Sequence, residues 1–201
     1  MNENQKGALA AKKHQIQLRI RVDDFIDRHL LNWLEIYETI LSCNIDYELV
    51  QLANVAEEEI IFWEKALAKA PFNTYNFDTK NLNTDEEKSI SGILYDIYPS
   101  TYPLRFMPSD ILPYLISDKA EEIITDFAQQ LGLSLNQEVY LMYLYYTPIV
   151  KLKLKDIIAY APQLYDFPME DILIAATSFD WIIFRSMEDE WRFCRRTTKL
   201  S

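Results

Sequence analysis

Carboxylates are the residues of this chain with the most chemistry to offer. Between His29 and Glu64 there is no Lys or Arg, while Glu35, Glu38, Asp46, Glu48, Glu57, Glu58, Glu59 and Glu64 all fall in that stretch. Closely spaced acids can exchange protons with a substrate, hold a divalent cation, or attract a basic partner. The first two roles require several carboxylates to converge on one point. Glu57, Glu58 and Glu59 are consecutive, and on a helix they would fan out over a broad arc. Glu121 with Glu122, Glu170 with Asp171, and the run Glu188, Asp189, Glu190 are short clusters of the kind that open helices or sit on turn tips. The pattern favours a docking surface over a catalytic acid pair.

Other reactive residues are sparse. His14 and His29 are the two histidines, and neither has a cysteine nearby in sequence. Their separation does not suit a helical two-histidine metal pair. Cys43 and Cys194 are expected as buried reduced thiols. Glycine occurs only at positions 7, 92 and 132, so the chain has neither a phosphate loop nor a dinucleotide fingerprint, and it lacks the Gly-x-Ser-x-Gly elbow. No cofactor and no metal are expected, and the chain does not read as an enzyme. A carboxylate- and metal-dependent hydrolase is the alternative. A phage or secretion-system assembly protein is another, since a long first helix and a basic arm suit oligomerisation. The oligomeric state stays open.

The totals set the frame. The 201 residues are 49% hydrophobic and carry a formal charge of −11. An acidic chain is a poor match for the phosphate backbone, so nucleic acid is not an expected partner. It attracts basic proteins instead. The first 13 residues lack the apolar core of a signal peptide, and charges interrupt every apolar run before membrane-spanning length. A cytoplasmic protein with no membrane association is the expectation.

The elements that must position these acids follow from periodicity. Residues 1–14, with Lys6, Lys12 and Lys13, read as a basic flexible arm, and residues 15–201 as one domain. Val22, Ile26, Leu30, Trp33, Tyr37 and Leu41 recur at helical spacing within a helix over 16–41. A second helix is expected over 46–70, antiparallel to the first. The Asn-rich segment 72–83 reads as a loop, and any subdomain boundary falls there. Thr84 and Glu87 have capping-box spacing for a helix ending near Tyr98. Prolines at 99, 103, 108 and 113 make the next stretch irregular. A helix from 117 ends at Gly132, which suits a left-handed cap. Strands are expected over 139–146 and 149–155, the second with Lys151, Lys153 and Lys155 on its wet face. A short helix follows over 156–165. The end of the chain reads as a meander of strands at 172–176, 181–186 and 191–195. The fold class is α+β, with the helical first two-thirds packed on a mostly antiparallel sheet.

The meander has a second acidic-aromatic feature: Asp180, Glu188, Asp189 and Glu190 stand beside Trp181 and Trp191. Its order runs from Glu170, Asp171, Ile172, Leu173 and Ile174 through Trp181, Ile182, Ile183 and Phe184 to the acidic turn Glu188-Asp189. This strand–turn–Trp–strand–acidic-turn pattern resembles the terminal hairpins of some small bacterial immunity proteins. The resemblance implies a cytoplasmic, non-catalytic protein that neutralises one cognate toxin, often a nuclease. With the acid-rich stretch, it points to an acidic inhibitor of a basic protein. The expected partner-binding residues are Glu35, Glu38, Glu48, Glu57, Glu58, Glu59, Asp180, Glu188, Asp189, Glu190 and Trp191.

Overall fold

A computed structural model describes residues 3–75, 77–85, 88–98, 119–143, 148–166 and 171–196. The central element is a six-stranded antiparallel sheet. Its strands are β1 (Tyr47–Gln51), β4 (Glu138–Tyr143), β5 (Ile149–Lys153), β6 (Ile172–Ala176), β7 (Trp181–Arg185) and β8 (Trp191–Arg195), in the order β1-β5-β4-β6-β7-β8. Two-residue strands β2 (Ala53–Asn54) and β3 (Leu82–Asn83) pair separately and in parallel. The α+β class therefore holds. The three meander strands lie where the β-prone runs and short turns placed them, with β7 ending at Arg185.

Both faces of the sheet are covered. Val139, Leu141, Val150, Leu152, Ile172, Ile174, Trp181 and Ile183 belong to the main core. They meet α1 (Glu3–Phe25) and α2 (Leu31–Ser42), together with α5 (Ala120–Leu131), α6 (Leu154–Ala159) and α7 (Ala161–Leu164). Met142, Ile149, Leu173, Ala175, Ile182 and Phe184 point the other way, into a smaller core with Ile90, Leu94 and Tyr98 of α4 (Ile90–Ile97) and its C-terminal cap. This two-sided cover explains why β6 and β7 read as unbroken apolar runs and not as alternating strands.

The opening helix differs from its expected form. It is helical from Glu3, where an arm was expected, because Ala8, Leu9, Ala10, Ala11, Lys12 and Lys13 are strong helix formers. Leu18, Val22, Ile26 and Leu30 are buried at successive spacings of four. At 3.6 residues per turn such a series drifts by about 40° per step. A π turn at Ile26–Leu30 absorbs the drift and joins α1 to α2. Ile40 is buried, and Leu41, expected in the apolar stripe, is 45% exposed.

The helix expected over 46–70 is the main correction. Residues 47–51 form β1, and only α3 (Ile60–Leu67), preceded by a 3-10 turn at Glu57–Glu59, is helical in that span. Tyr47 and Leu49 pack on the main core, and Val50 packs on the smaller one. That alternation has period two, while Leu49 and Leu52 also fit a helical spacing, so the short run was ambiguous. The sheet thereby gains an edge strand from the first quarter of the chain. β5 is consequently internal, and Lys151 and Lys153 do not guard an edge.

The Asn-rich segment supports this edge. The Asn81 amide donates to the Leu49 carbonyl at 2.7 Å, and its own carbonyl accepts from the Leu52 amide at 2.7 Å. Phe72 and Phe77 sit in the main core. α4 starts at Ser89, whose hydroxyl accepts from the Gly92 amide at 2.8 Å. Glu87 of the expected capping box, the four prolines from 99 to 113, and the helix start at Ser117 lie outside the described residues. α5 ends at Gly132 with φ of 64°, in the left-handed conformation that glycine adopts without steric cost. The strand expected over 149–155 stops at Lys153. The chain then turns into α6 and α7, with Pro162 in the first turn of α7.

These packing roles predict an order of stability losses. Ile174→Ala, in a fully buried strand, should cost about 2–5 kcal/mol. Ser89→Ala should cost about 1 kcal/mol through loss of the cap. Urea unfolding monitored by circular dichroism measures both, and a smaller loss for Ile174→Ala would contradict the two-sided core.

Candidate functional site

The acid-rich stretch is divided by the fold into three places. Glu35 and Glu38 lie exposed on α2, and Asp46 and Glu48 lie exposed at the start of β1. Glu57, Glu58 and Glu59 form the 3-10 turn ahead of α3, where Glu64 is exposed. The expected antiparallel helical pair does not exist, so these acids do not share one helical face.

Three of the eight find side-chain partners elsewhere in the chain. The Glu48 carboxylate meets Lys151 Nζ at 2.5 Å, and Glu138 flanks the same ammonium at 3.5 Å. Strand register causes this: Glu48 lies opposite Lys151 across β1 and β5. Glu58 meets His14 Nε2 at 2.7 Å, and Glu59 meets Arg21 Nη2 at 2.9 Å. Glu59 also accepts from the Ala56 amide at 3.1 Å, and its side chain is only 12% exposed. Glu58 and Glu59 therefore help seat α1 against α3. Glu35, Glu38, Asp46, Glu57 and Glu64 make no ion pair among the described residues.

Glu38 is the expected site residue with the most elaborate surroundings. Tyr75 Oη donates to its carboxylate at 2.6 Å. The Tyr75 carbonyl accepts from Tyr37 Oη at 3.4 Å. Tyr37 and Tyr47 share a further hydroxyl hydrogen bond. Since Tyr37 has one hydroxyl proton, Tyr47 is the donor in that pair. The rings pack edge to face, with Tyr37 5.5 Å from Tyr47 and 5.1 Å from Tyr75. Tyr37 is buried, while Tyr47 and Tyr75 keep part of their surface open. The result is a rigid acidic-aromatic patch built from α2, β1 and the 72–77 segment. Sequence reasoning missed Tyr47 and Tyr75. For Tyr75 the aromatic residues of the segment FNTYNF were the available signal, which its reading as a loop hid, and Tyr47 lay in a span read as helix.

The meander tips do not form one site. Asp180 lies at one end of β7 and Glu188, Asp189 and Glu190 at the other, about 17 Å apart at the usual strand rise. Trp181 and Trp191 are each 4% exposed. Trp191 stacks on Tyr165 at 5.1 Å, so it is a core residue. Asp189 pairs with Arg185, and Glu190 with Arg192 at 3.0 Å. Ser186 organises the turn by accepting from the amides of Glu188 and Glu190, both at 3.2 Å.

A shallow groove of about 470 Å³ runs along α5, lined by Glu121, Glu122, Thr125, Asp126 and Gln129, with Ile158 of α6. Cys43 and Cys194 are not joined in a disulfide and are half-buried, less enclosed than expected. Among the described residues, no group of three or more His, Cys, Asp or Glu is placed to hold a metal ion. Among them, too, no helix is long and apolar enough to cross a membrane. In comparisons with known proteins, no family model, curated protein or solved structure matches this chain.

The tyrosines give the fold an alkaline limit. Burial, then the hydrogen bond to Tyr37, raises the Tyr47 hydroxyl well above the usual value of 10.0. Burial is also the main cause for Tyr98, helped by Cys194 and Asp180, and for Tyr165, where Arg185 opposes it. The unfolded chain releases these protons near pH 10, and the folded chain retains them. Their stabilisation is therefore complete below about pH 10 and declines as pH rises beyond it. Urea midpoints should fall between about pH 9 and 11, and Tyr165→Phe should flatten that fall. An unchanged slope in the variant would contradict this assignment.

Proposed function

We propose that this chain is a non-catalytic protein that binds a basic protein partner through α2 and the tyrosines beside it. Its most concrete form is an immunity-type inhibitor in the cytoplasm, neutralising a cationic toxin such as a nuclease. One observation carries the reading: Glu38 is bonded to the part-open tyrosine cluster, next to Glu35, in a stretch without lysine or arginine. Carboxylates in such a setting attract cationic side chains, and fixed aromatic rings give them flat surfaces to stack on. Tyrosine loses little conformational freedom when it forms a contact, which suits it to anchor an interface.

The surface is narrower than the acid count suggests. Glu48 and Glu59 already have cationic partners within the chain, and Glu58 is hydrogen-bonded to His14. A competing protein would have to break those pairs before using them. Glu35 and Glu38 require no such exchange, so they take the larger share in this proposal. The acidic tip at Glu188–Glu190 takes a smaller share, because Asp189 and Glu190 are bound to arginines of their own hairpin.

The double variant Glu35→Lys/Glu38→Lys tests the proposal. Protein partners captured from the native host by the wild-type chain should be basic, and their association rates should fall steeply with salt. The double variant should retain them at least about tenfold less well while melting like the wild type. Equal capture by the variant, or association indifferent to salt, would overturn the proposal.

A further inference from the structure

About the first four turns of α1 bury no side chain, although His14 reaches Glu58 from within them. From Gln5 through Gln17 every residue is exposed, and Leu18 is the first buried one. The helix seats itself further on, through Leu18, Val22, Phe25 and Ile26. Its opposite side carries Leu9, Ile16 and Ile20, exposed by 58%, 45% and 55%. At 100° per residue these three fall within about 40° of one another, so they form one apolar stripe directed away from the body of the protein. A helical extension of this length with no buried side is marginal in water, and Gly7 inside it lowers its stability further.

The first half of α1 is basic, and its second half carries Arg19 and Arg21 together with acids. Lys6, Lys12 and Lys13 lie in its first half, with Asp23, Asp24 and Asp27 at and just beyond its end. Lys12 and Lys13 have no ion-pair partner among the described residues. Among the described residues, Asp23 and Asp24 form ion pairs with Arg19 at 3.8 Å and Arg28 at 2.9 Å, both exposed i,i+4 contacts. Pairs of that kind contribute a few tenths of a kcal/mol and exchange readily.

From this geometry we propose that the stripe is a self-association surface, and that a second copy of this chain docks on it as an antiparallel helix. The occupant follows from charge. Placing Ile20 of the second copy level with Ile16 sets Lys12 beside Asp23 of that copy and Lys13 beside its Asp24. In antiparallel helices each flank of the seam faces the same flank of its partner, and Lys12 shares a flank with Asp23, as Lys13 does with Asp24. Two-fold symmetry repeats both pairs, giving four ion pairs around one apolar seam. A parallel copy in register would set lysine against lysine. Leu9 falls level with Asp27 at the open ends, so the apolar contact is centred on Ile16 and Ile20. The surface lies opposite the seated side of α1 and uses none of the residues of the α2 patch.

Sedimentation velocity over about 1–200 μM is the test, since a single-helix interface is at the weak end of the known range. The wild-type chain should rise from 23.8 kDa toward twice that mass with concentration. Lys12→Glu/Lys13→Glu and Asp23→Lys/Asp24→Lys should each stay monomeric alone, because every cross pair then joins like charges. Mixed in equal amounts they should dimerise again, since the two sets of reversals complement each other. Ile16→Ser/Ile20→Ser should abolish association with no change in melting temperature. A wild-type monomer at every concentration would overturn the proposal, as would failure of the mixture to recover. Binding of the monomer to phosphatidylserine vesicles, with no dimer, would reassign the stripe to a lipid surface.

Discussion

The sheet must be dry on both faces, and the rest of the structure depends on that constraint. β6 and β7 place branched and aromatic side chains on alternate sides with almost no polar residue among them. Ile172, Ile174 and Ile183 face one cover, and Leu173, Ile182 and Phe184 face the other. Each such side chain contributes roughly 1.5–3 kcal/mol when removed from water, so neither face can stay open. The opening helices and α5, α6 and α7 are recruited to one side and α4 to the other. Edge strands complete the arrangement: β1 is closed by Asn81, and on β8 Arg192 pairs with Glu190 of the preceding turn while Arg195 donates to the Leu131 carbonyl.

The same constraint accounts for what was legible in the sequence. The meander was readable because its turns are short and its strands consist of β-prone residues, so local signals alone determine them. Gly132 could be identified as a cap because a left-handed residue after a helix suits glycine. Residues 47–51 were misread because helix and strand spacings coincide over so short a run. What decides between them is the distant β5, which supplies Lys151 opposite Glu48. The π turn was invisible for a related reason. A series of apolar residues four apart looks helical, and only packing along the whole length forces the extra residue into the turn.

The candidate site was half legible. The cation-free stretch correctly identified Glu35 and Glu38 as exposed carboxylates. Composition could not separate them from Glu48, Glu58 and Glu59, which find Lys151, His14 and Arg21 across long sequence separations. Trp191 looked like an interface anchor because acids flank it, yet its ring completes the core against Tyr165. Alternation along β8 sends Trp191 and Phe193 inward, and that periodicity was a better guide than the acidic neighbours. Tyr47 was overlooked because the acids on either side of it drew the reading, and Tyr75 because its segment read as a loop. Their significance comes from the fold, which brings three segments to one hydroxyl network.

Internal pairing therefore sorts the acids by role more sharply than their number does. A carboxylate bound to a lysine or arginine of its own chain can serve a partner only by giving up that bond, so its net offer is small. Glu59 illustrates the structural end of the range: nearly enclosed, it joins Arg21 to the Ala56 amide and fixes where α1 leaves the body. Glu38 illustrates the other end. Its hydrogen bond to Tyr75 orients the carboxylate without neutralising it, and a cation can approach from the open side. Arg19, Arg28, Asp23 and Asp24 fall between, since their exposed helical pairs are weak enough to exchange. Along one continuous helical rod, pairing of increasing permanence thus marks the passage from an exposed, basic extension to a seated anchor. Past that anchor, on α2, lie the carboxylates that remain available to others.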